Sequence, residues 1–269
     1  MIGSAIIDSV QKKKLSYKTD DDIDLVGILT RPPTPSSEKG CVIMCHGITV
    51  DKDEGGTFVG LSKSLYENDF SSFRFDYRGH GESGGKPAEM TITGEHRDLQ
   101  ATIRLVRELG YRKLFLLGAS FACGSVALEL SQNEDDFEAV VLWNPVVDYE
   151  SLLEPRLPWS KKYFGPVAEK RAKEKGYTKV GSHEFPVGYK LFKEMREINL
   201  CGLLSRVRLP ILFIHGDCDT YIPYEDTKKC SELVENGELY IAQGSEHGFH
   251  DENILAVVIK KTVGFFDIS

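Results

Sequence analysis

An α/β architecture, a mostly parallel sheet with helices on both faces and an inserted, mainly helical cap, is what this sequence predicts. Three observations carry that reading. From Cys41 onward, short and almost continuously apolar segments alternate with amphipathic ones, the mark of strands buried on both faces by crossover helices. Loops rich in Gly and in Asp or His follow several of those segments, at the carboxyl ends where open α/β sheets bind ligands. One stretch, 148–207, interrupts the alternation with about 60 residues where roughly 15 to 20 would make the crossover.

The first elements read as a hairpin-like pair, 15–19 and 25–29, turning at Asp20, Asp21 and Asp22 and ended by Pro32 and Pro33. Apolar runs then place strands at 41–45, 72–76, 113–117, 139–144, 211–215 and 238–242. Helical periodicity between them places helices at about 56–68, 93–109, 121–132, 225–235 and 252–266. Within the interruption, Pro155, Pro158, Pro166 and Pro186 separate short helical stretches near 160–175 and 188–205. The expected division is a core of 1–147 and 208–269 with 148–207 as a cap over the strand ends, shielding a site from water.

Composition narrows the function classes. Apolar content of 41% and charged content of 28% are ordinary for a water-exposed globular protein. A net charge of -8 argues against nucleic acid or an anionic membrane surface as a partner. Asp8 and the lysines after it interrupt any apolar run near the N-terminus, so no secretory signal is expected, and no stretch is long enough to span a membrane. Cysteines at 41, 45, 123, 201, 218 and 230 lie mostly within apolar segments. They read as reduced core thiols in a cytoplasmic protein, with no metal or cofactor expected.

Chemistry concentrates at Gly118-Ala119-Ser120-Phe121-Ala122, where an apolar strand meets a helix. A sharp strand-to-helix turn lifts a serine clear of the sheet edge and sets helix N–H groups beside it. Downstream, Gly216-Asp217-Cys218-Asp219 ends one strand and Gly244-Ser245-Glu246-His247 ends another. Upstream, a strand ends in His46-Gly47-Ile48. Alone each motif is common. Ser120, Asp219 and His247 in that chain order, each beyond a strand's carboxyl end, form a coherent set of nucleophile, acid and base.

On these residues the chain resembles the α/β-hydrolase family, in its capped serine esterase and thioesterase branch, and is similar to cinnamoyl- and feruloyl-type esterases. Asp76-Tyr-Arg78-Gly79-His80-Gly81-Glu-Ser83 adds to the resemblance, matching the D-x-R-G-x-G-x-S turn of such enzymes. Ala122 stands where the elbow usually has Gly, and His46-Gly47 is not extended to the longer glycine-rich form of some lipases. The resemblance implies Ser120 as nucleophile, His247 as base and Asp219 as acid, with the Phe121 and Ile48 backbone N–H groups as oxyanion donors. Asp217 is expected to brace its loop, and Asp148 is the alternative acid. His250 is expected at the surface, His46 as a brace for the oxyanion loop, and His80 and His96 as structural. Trp143, Tyr163 and Phe164 are expected pocket walls.

The implied reaction is cleavage of a carboxylic ester with a small, medium or aromatic acyl group. An acyl-CoA or acyl carrier protein thioesterase is the alternative, and a ligand-binding receptor with a slow triad is a third reading. Basic residues at 161, 162, 170, 171, 173, 175 and 179 either form a solvated face or a rim for an anionic substrate handle. The expected partner is a small-molecule ester or thioester. Association into a homodimer is left open.

Overall fold

The computed structural model describes residues 11–32 and 39–269; Pro33 and Asp8 lie outside them. Two strands, β1 (Gln11–Lys18) and β2 (Asp24–Arg31), pair antiparallel, extending the expected hairpin by several residues. Then come β3 (Cys41–Cys45), α1 (Thr57–Glu67), β4 (Ser71–Phe75), α2 (Ile92–Glu108), β5 (Leu114–Ala119), α3 (Cys123–Asn133) and β6 (Ala139–Trp143). After the insertion follow β9 (Ile211–Gly216), α9 (Tyr224–Leu233), β10 (Gly237–Ala242) and α10 (Glu252–Ile268). Together eight strands form one sheet in the order β1-β2-β4-β3-β5-β6-β9-β10, with β2 reversed and the six strands β4, β3, β5, β6, β9 and β10 parallel.

Strand periodicity explains the two layers of core. Cys41, Ile43 and Cys45 of β3 face one way, into a cluster with Leu99, Ile103 and Val106 of α2 and Val126 and Leu130 of α3. Val42 and Met44 face the other way, against Phe58 and Leu61 of α1 and Val258 and Phe266 of α10. With both faces covered, β3 through β6 are buried at every residue, which is why β3, β5 and β6 read as almost unbroken apolar runs, whereas β4 buries Ser71, Ser72 and Arg74 as well.

The 148–207 interruption contains α4 (Glu150–Leu153), α5 (Pro158–Tyr163), α6 (Gly165–Lys175), β7 (Tyr177–Val180), β8 (Phe185–Gly188), α7 (Tyr189–Glu197) and α8 (Leu200–Leu204). The β7–β8 hairpin is an addition to the mainly helical make-up expected of this stretch. Its strands are four residues each and turn at Gly181, whose φ of +72° suits glycine, so they are too short to show a period in sequence. Phe164, Ala168, Ala172, Val180, Val187, Leu191 and Phe192 of this stretch join the same buried cluster as α2 and α3.

Candidate active site

Ser120 sits between β5 and α3 with φ +50°, in the left-handed region where a Cβ is strained. Its carbonyl accepts from Val146 N at 3.0 Å, which ties the elbow to the chain after β6. A single 3₁₀ turn, Ser120–Ala122, leads into α3, so the turn's first N–H groups have no acceptor within it.

The structure brings Ser120, His247 and Asp219 together from three loops. His247 Nε2 lies 3.0 Å from Ser120 Oγ, and His247 Nδ1 lies 2.6 Å from Asp219 Oδ2. Since the carboxylate can only accept, Nδ1 carries the proton and Nε2 is left to accept from the serine hydroxyl. Burial lowers the His247 pKa, but Asp219 outweighs it and Glu54 and Glu246 add to it, so the net shift is upward. For Asp219, burial raises the pKa. His247 and His215 overcome that and hold the carboxyl well below the usual range.

His215, the residue the sequence reading passed over, is fully buried at the end of β9. Its Nε2 is 3.0 Å from Asp219 Oδ2, the same oxygen that His247 engages, and its Nδ1 is 2.8 Å from Thr227 Oγ1. Tyr221 N and Ile222 N donate to Asp219 Oδ1 at 2.7 and 2.9 Å. Four donors therefore saturate the carboxylate. A signal existed in sequence: β9 ends in His215-Gly216 as His46-Gly47 directly follows β3, and both pairs lead into loops that reach the site.

The loop after β3 is held from below. Asp76, fully buried, accepts from Lys52 N at 2.7 Å, Lys52 Nζ at 2.9 Å and Glu82 N at 2.9 Å. Gly81 has φ +49°, and a Cβ there would run into the Asp76 carboxylate, so the D-x-R-G-x-G-x-S turn needs its glycine. His46 Nδ1–H donates to Gly47 O at 2.8 Å and its Nε2 accepts from Tyr77 N at 3.0 Å. Burial keeps this ring neutral, with its pKa pushed down to about 4. Gly47 N donates to Glu54 Oε2 at 2.7 Å, which removes that amide from any oxyanion role. Ile48 and Phe121 then flank Ser120 in the cavity wall. Glu54 was also missed; burial pushes its carboxyl up to about 7, against the opposing pull of Gly47 N–H and His247.

A cavity of about 320 Å³ opens over Ser120, within the range of small-molecule sites. Phe121, Tyr163, Phe164, Trp159 and Tyr221 give it aromatic walls, and Glu54, His183 and His250 a polar side. Tyr163 and Phe164 thus stand where expected. Trp143 lies outside this cavity, bordering only a small hollow behind Ser120 and His247: it is 2% exposed, donates to Thr262 Oγ1 at 2.9 Å and packs on Phe58 and Phe249 in the opposite layer of core. Strand alternation turns that side chain away from the cavity.

The other candidates fall apart from the relay. Asp148 accepts from Glu150 N at 2.9 Å ahead of α4 and borders a separate hollow with Cys201 and Cys230. Asp217 accepts from Gly244 N at 2.6 Å, bracing the acid loop against the base loop. His80 stacks on Phe185 at 4.4 Å, and His96 Nε2 lies 2.7 Å from Glu129 Oε2. His250 is exposed at the cavity's edge. None of the seven basic residues of 161–179 borders the cavity; Arg171, Lys175 and Lys179 line a different surface hollow. Among the described residues no cluster of three His, Cys, Asp or Glu side chains could hold a metal, and no helix is long and apolar enough to cross a membrane.

Comparison with known proteins follows this geometry. Residues 36–185 match the family described as "Serine aminopeptidase, S33". An uncharacterised protein of Bacillus subtilis, YqkD, is 27% identical over 79% of this chain and 66% of its own length. The human serine hydrolase BPHL is 23% identical over 74% of the chain and 69% of its own. The chain therefore spans about two thirds of these relatives. Among solved structures, Est1E from Butyrivibrio proteoclasticus, bound to ferulic acid, superposes with a TM-score of 0.80 at 20% identity, covering 93% of this chain and 97% of that one. The Pyrococcus furiosus esterase Pf2001 superposes with a TM-score of 0.73 at 19% identity, covering 99% and 96%. At such identities the superpositions establish an α/β-hydrolase fold.

Proposed function

The chain belongs to the S33 serine hydrolase family, and from that premise we propose that it is a carboxylesterase cleaving small, medium or aromatic acyl esters. The observation that carries the reading is the relay from Ser120 through His247 to Asp219, at 3.0 and 2.6 Å, opening on an aromatic-walled cavity. In the proposed reaction His247 Nε2 takes the Ser120 proton as Oγ attacks the ester carbonyl. The tetrahedral oxyanion is received by the Phe121 and Ile48 N–H groups, each worth about 3 kcal/mol of barrier. Asp219 stabilises the imidazolium and fixes its tautomer. The imidazolium returns its proton to the departing alkoxide, leaving an acyl-Ser120. Water, deprotonated by His247, attacks that ester, and collapse releases the acid as Ser120 regains its proton.

The insertion serves in this reading as a cap, since Trp159, Tyr163 and Phe164 close the cavity over the nucleophile. An ester is favoured over a thioester because the basic residues that argued for an anionic carrier lie away from the cavity. Turnover of matched oxyester and thioester pairs, from acetyl to cinnamoyl, tests the assignment, with an amino-acid anilide added for the family's amide-cleaving name. The expected result is oxyester cleavage at least as fast as thioester cleavage, abolished by Ser120→Ala with a loss in kcat of roughly 10⁴-fold or more. Preference for the thioester beyond its intrinsic reactivity, or a Ser120→Ala protein with most of its rate, overturns it.

A further inference from the structure

The relay does not end at its own three side chains. The Tyr221 ring lies parallel to the His247 imidazole, 4.8 Å between centroids and 9° between planes. Trp159, at the start of α5, lies parallel to Tyr221 in turn, at 4.6 Å and 7°. Three rings therefore run from the insertion to the imidazole. Backbone contacts run alongside: Trp159 N donates to Thr220 O at 3.4 Å, and Tyr221 N holds Asp219 at 2.7 Å. Glu246, the residue before His247, accepts from Thr220 N and from His247 N. Acid loop, base loop and insertion thus meet at Thr220 and Tyr221.

Two roles are open to such rings. They could be cavity wall, since both line it. A wall, however, does not require two successive near-parallel stacks. Flat contact on one face of the imidazole stops the ring from swinging off Asp219. It also presents a negative π-face to the cation that forms each time Ser120 gives up its proton. Trp159 in turn keeps Tyr221 from turning away, as no ring besides Trp159 and His247 lies stacked on Tyr221 among the described residues.

We propose that Trp159 and Tyr221 are positioning residues through which the insertion holds and electrostatically supports the His247 base, so that seating of α5 and readiness of the base are one event. The inference rests on the esterase reading above. The charged and titratable groups facing His247 are Asp219 beyond β9, Glu54 ahead of α1 and Glu246 on its own loop, with His215 acting through Asp219. Tyr221 is the remaining contact, covering the face of the ring.

The test compares Tyr221→Leu, Tyr221→Phe, Trp159→Leu and Trp159→Phe on a small acetyl ester and a bulky aromatic acyl ester, with full pH profiles of kcat. The Leu variants should lose about 2- to 30-fold in kcat on both esters, the span of a cation–π contact. KM for the acetyl ester should stay within about threefold, and the rising limb should move to lower pH by roughly 0.4 to 1.5 units. The Phe variants should recover most of the rate. A rise in KM confined to the bulky ester, with kcat and the limb unmoved, overturns the proposal and leaves the rings as wall. Should a Leu variant not fold, phenylalanine with increasing ring fluorination at position 221 keeps the shape while draining the π-face. The limb should then step downward with each fluorine, and a fixed limb is equally fatal. Labelling of wild-type Ser120 by a fluorophosphonate separates the two readings: no labelling sinks the esterase assignment, whereas labelling with unmoved ring variants sinks only this one.

Discussion

Replacing His215 with leucine isolates the second imidazole on Asp219. Both side chains are fully buried, and the contact is an N–H donated to a carboxylate at 3.0 Å. Leucine is close in volume, so the main loss is one hydrogen bond to a charged acceptor, about 1.5 to 3 kcal/mol of folding stability. Thr227 loses its partner at Nδ1 as well, although Pro145 O, 3.4 Å away, remains as an acceptor. For a domain of this size each kcal/mol lowers Tm by about 2 to 4 °C, so a drop of about 3 to 12 °C is expected. The kinetic sign is separate. Without that donor, Asp219 keeps more negative charge for His247, which favours the imidazolium. The rising limb of kcat against pH should therefore shift upward, and His215→Gln, which can still donate, should shift it less. Thermal melts and pH–rate profiles read both effects. An unshifted limb together with an unchanged Tm in His215→Leu would refute the assignment of His215 as a partner of the acid.

Two buried titratable groups, Glu54 and His46, give further outcomes. Glu54 adds negative charge beside His247, so Glu54→Gln should move the rising limb to lower pH, the opposite direction to His215→Leu. The same substitution should raise Tm at pH 8, because a carboxyl held up to about 7 is costly to ionise in the fold. Coincident pH profiles for wild type and Glu54→Gln would contradict it. His46 has a folded pKa pushed down to about 4, below its unfolded value of about 6.5, so its contribution is fully present above pH 6.5. That stability is lost as pH falls from about 6.5 toward 4, about 3 kcal/mol in all. Urea unfolding across that window should show the loss, and a His46→Gln protein with an equally steep slope would exclude His46 as its source.

Much of this molecule was legible before its coordinates. The parallel strands announced themselves because burial on both faces leaves no polar residue to blur a run such as Cys41-Val-Ile-Met-Cys45. Ser120, Asp219 and His247 could be named because chain order and strand-end position are properties of the sequence. Trp143 reaches the level of Ser120 but not the main cavity, because the end of a strand fixes a residue's height in the sheet but not its face. His215, Tyr221 and Trp159 were invisible for a different reason. A histidine closing a strand looks like core, and a ring stack joins positions 159, 221 and 247, which no local pattern links. Glu54 was hidden in the run Asp51-Lys-Asp-Glu54, which reads as a solvated loop until Lys52 is seen buried on Asp76.

The shared core of the insertion bears on how such an enzyme can change. Phe164, Ala172, Val187, Leu191 and Phe192 fill the same continuous cluster as Ile92, Phe121 and Tyr149. Excising 148–207, or exchanging it whole for a foreign segment, would uncover that cluster as well as remove Trp159, Tyr163 and Phe164 from the cavity wall. Changes to the cavity wall are therefore reached most cheaply by point substitutions at the inner surface of the insertion, at positions such as Ser182 and His183, which border the cavity but do not pack against the buried cluster. The insertion and the scaffold have to evolve as one piece.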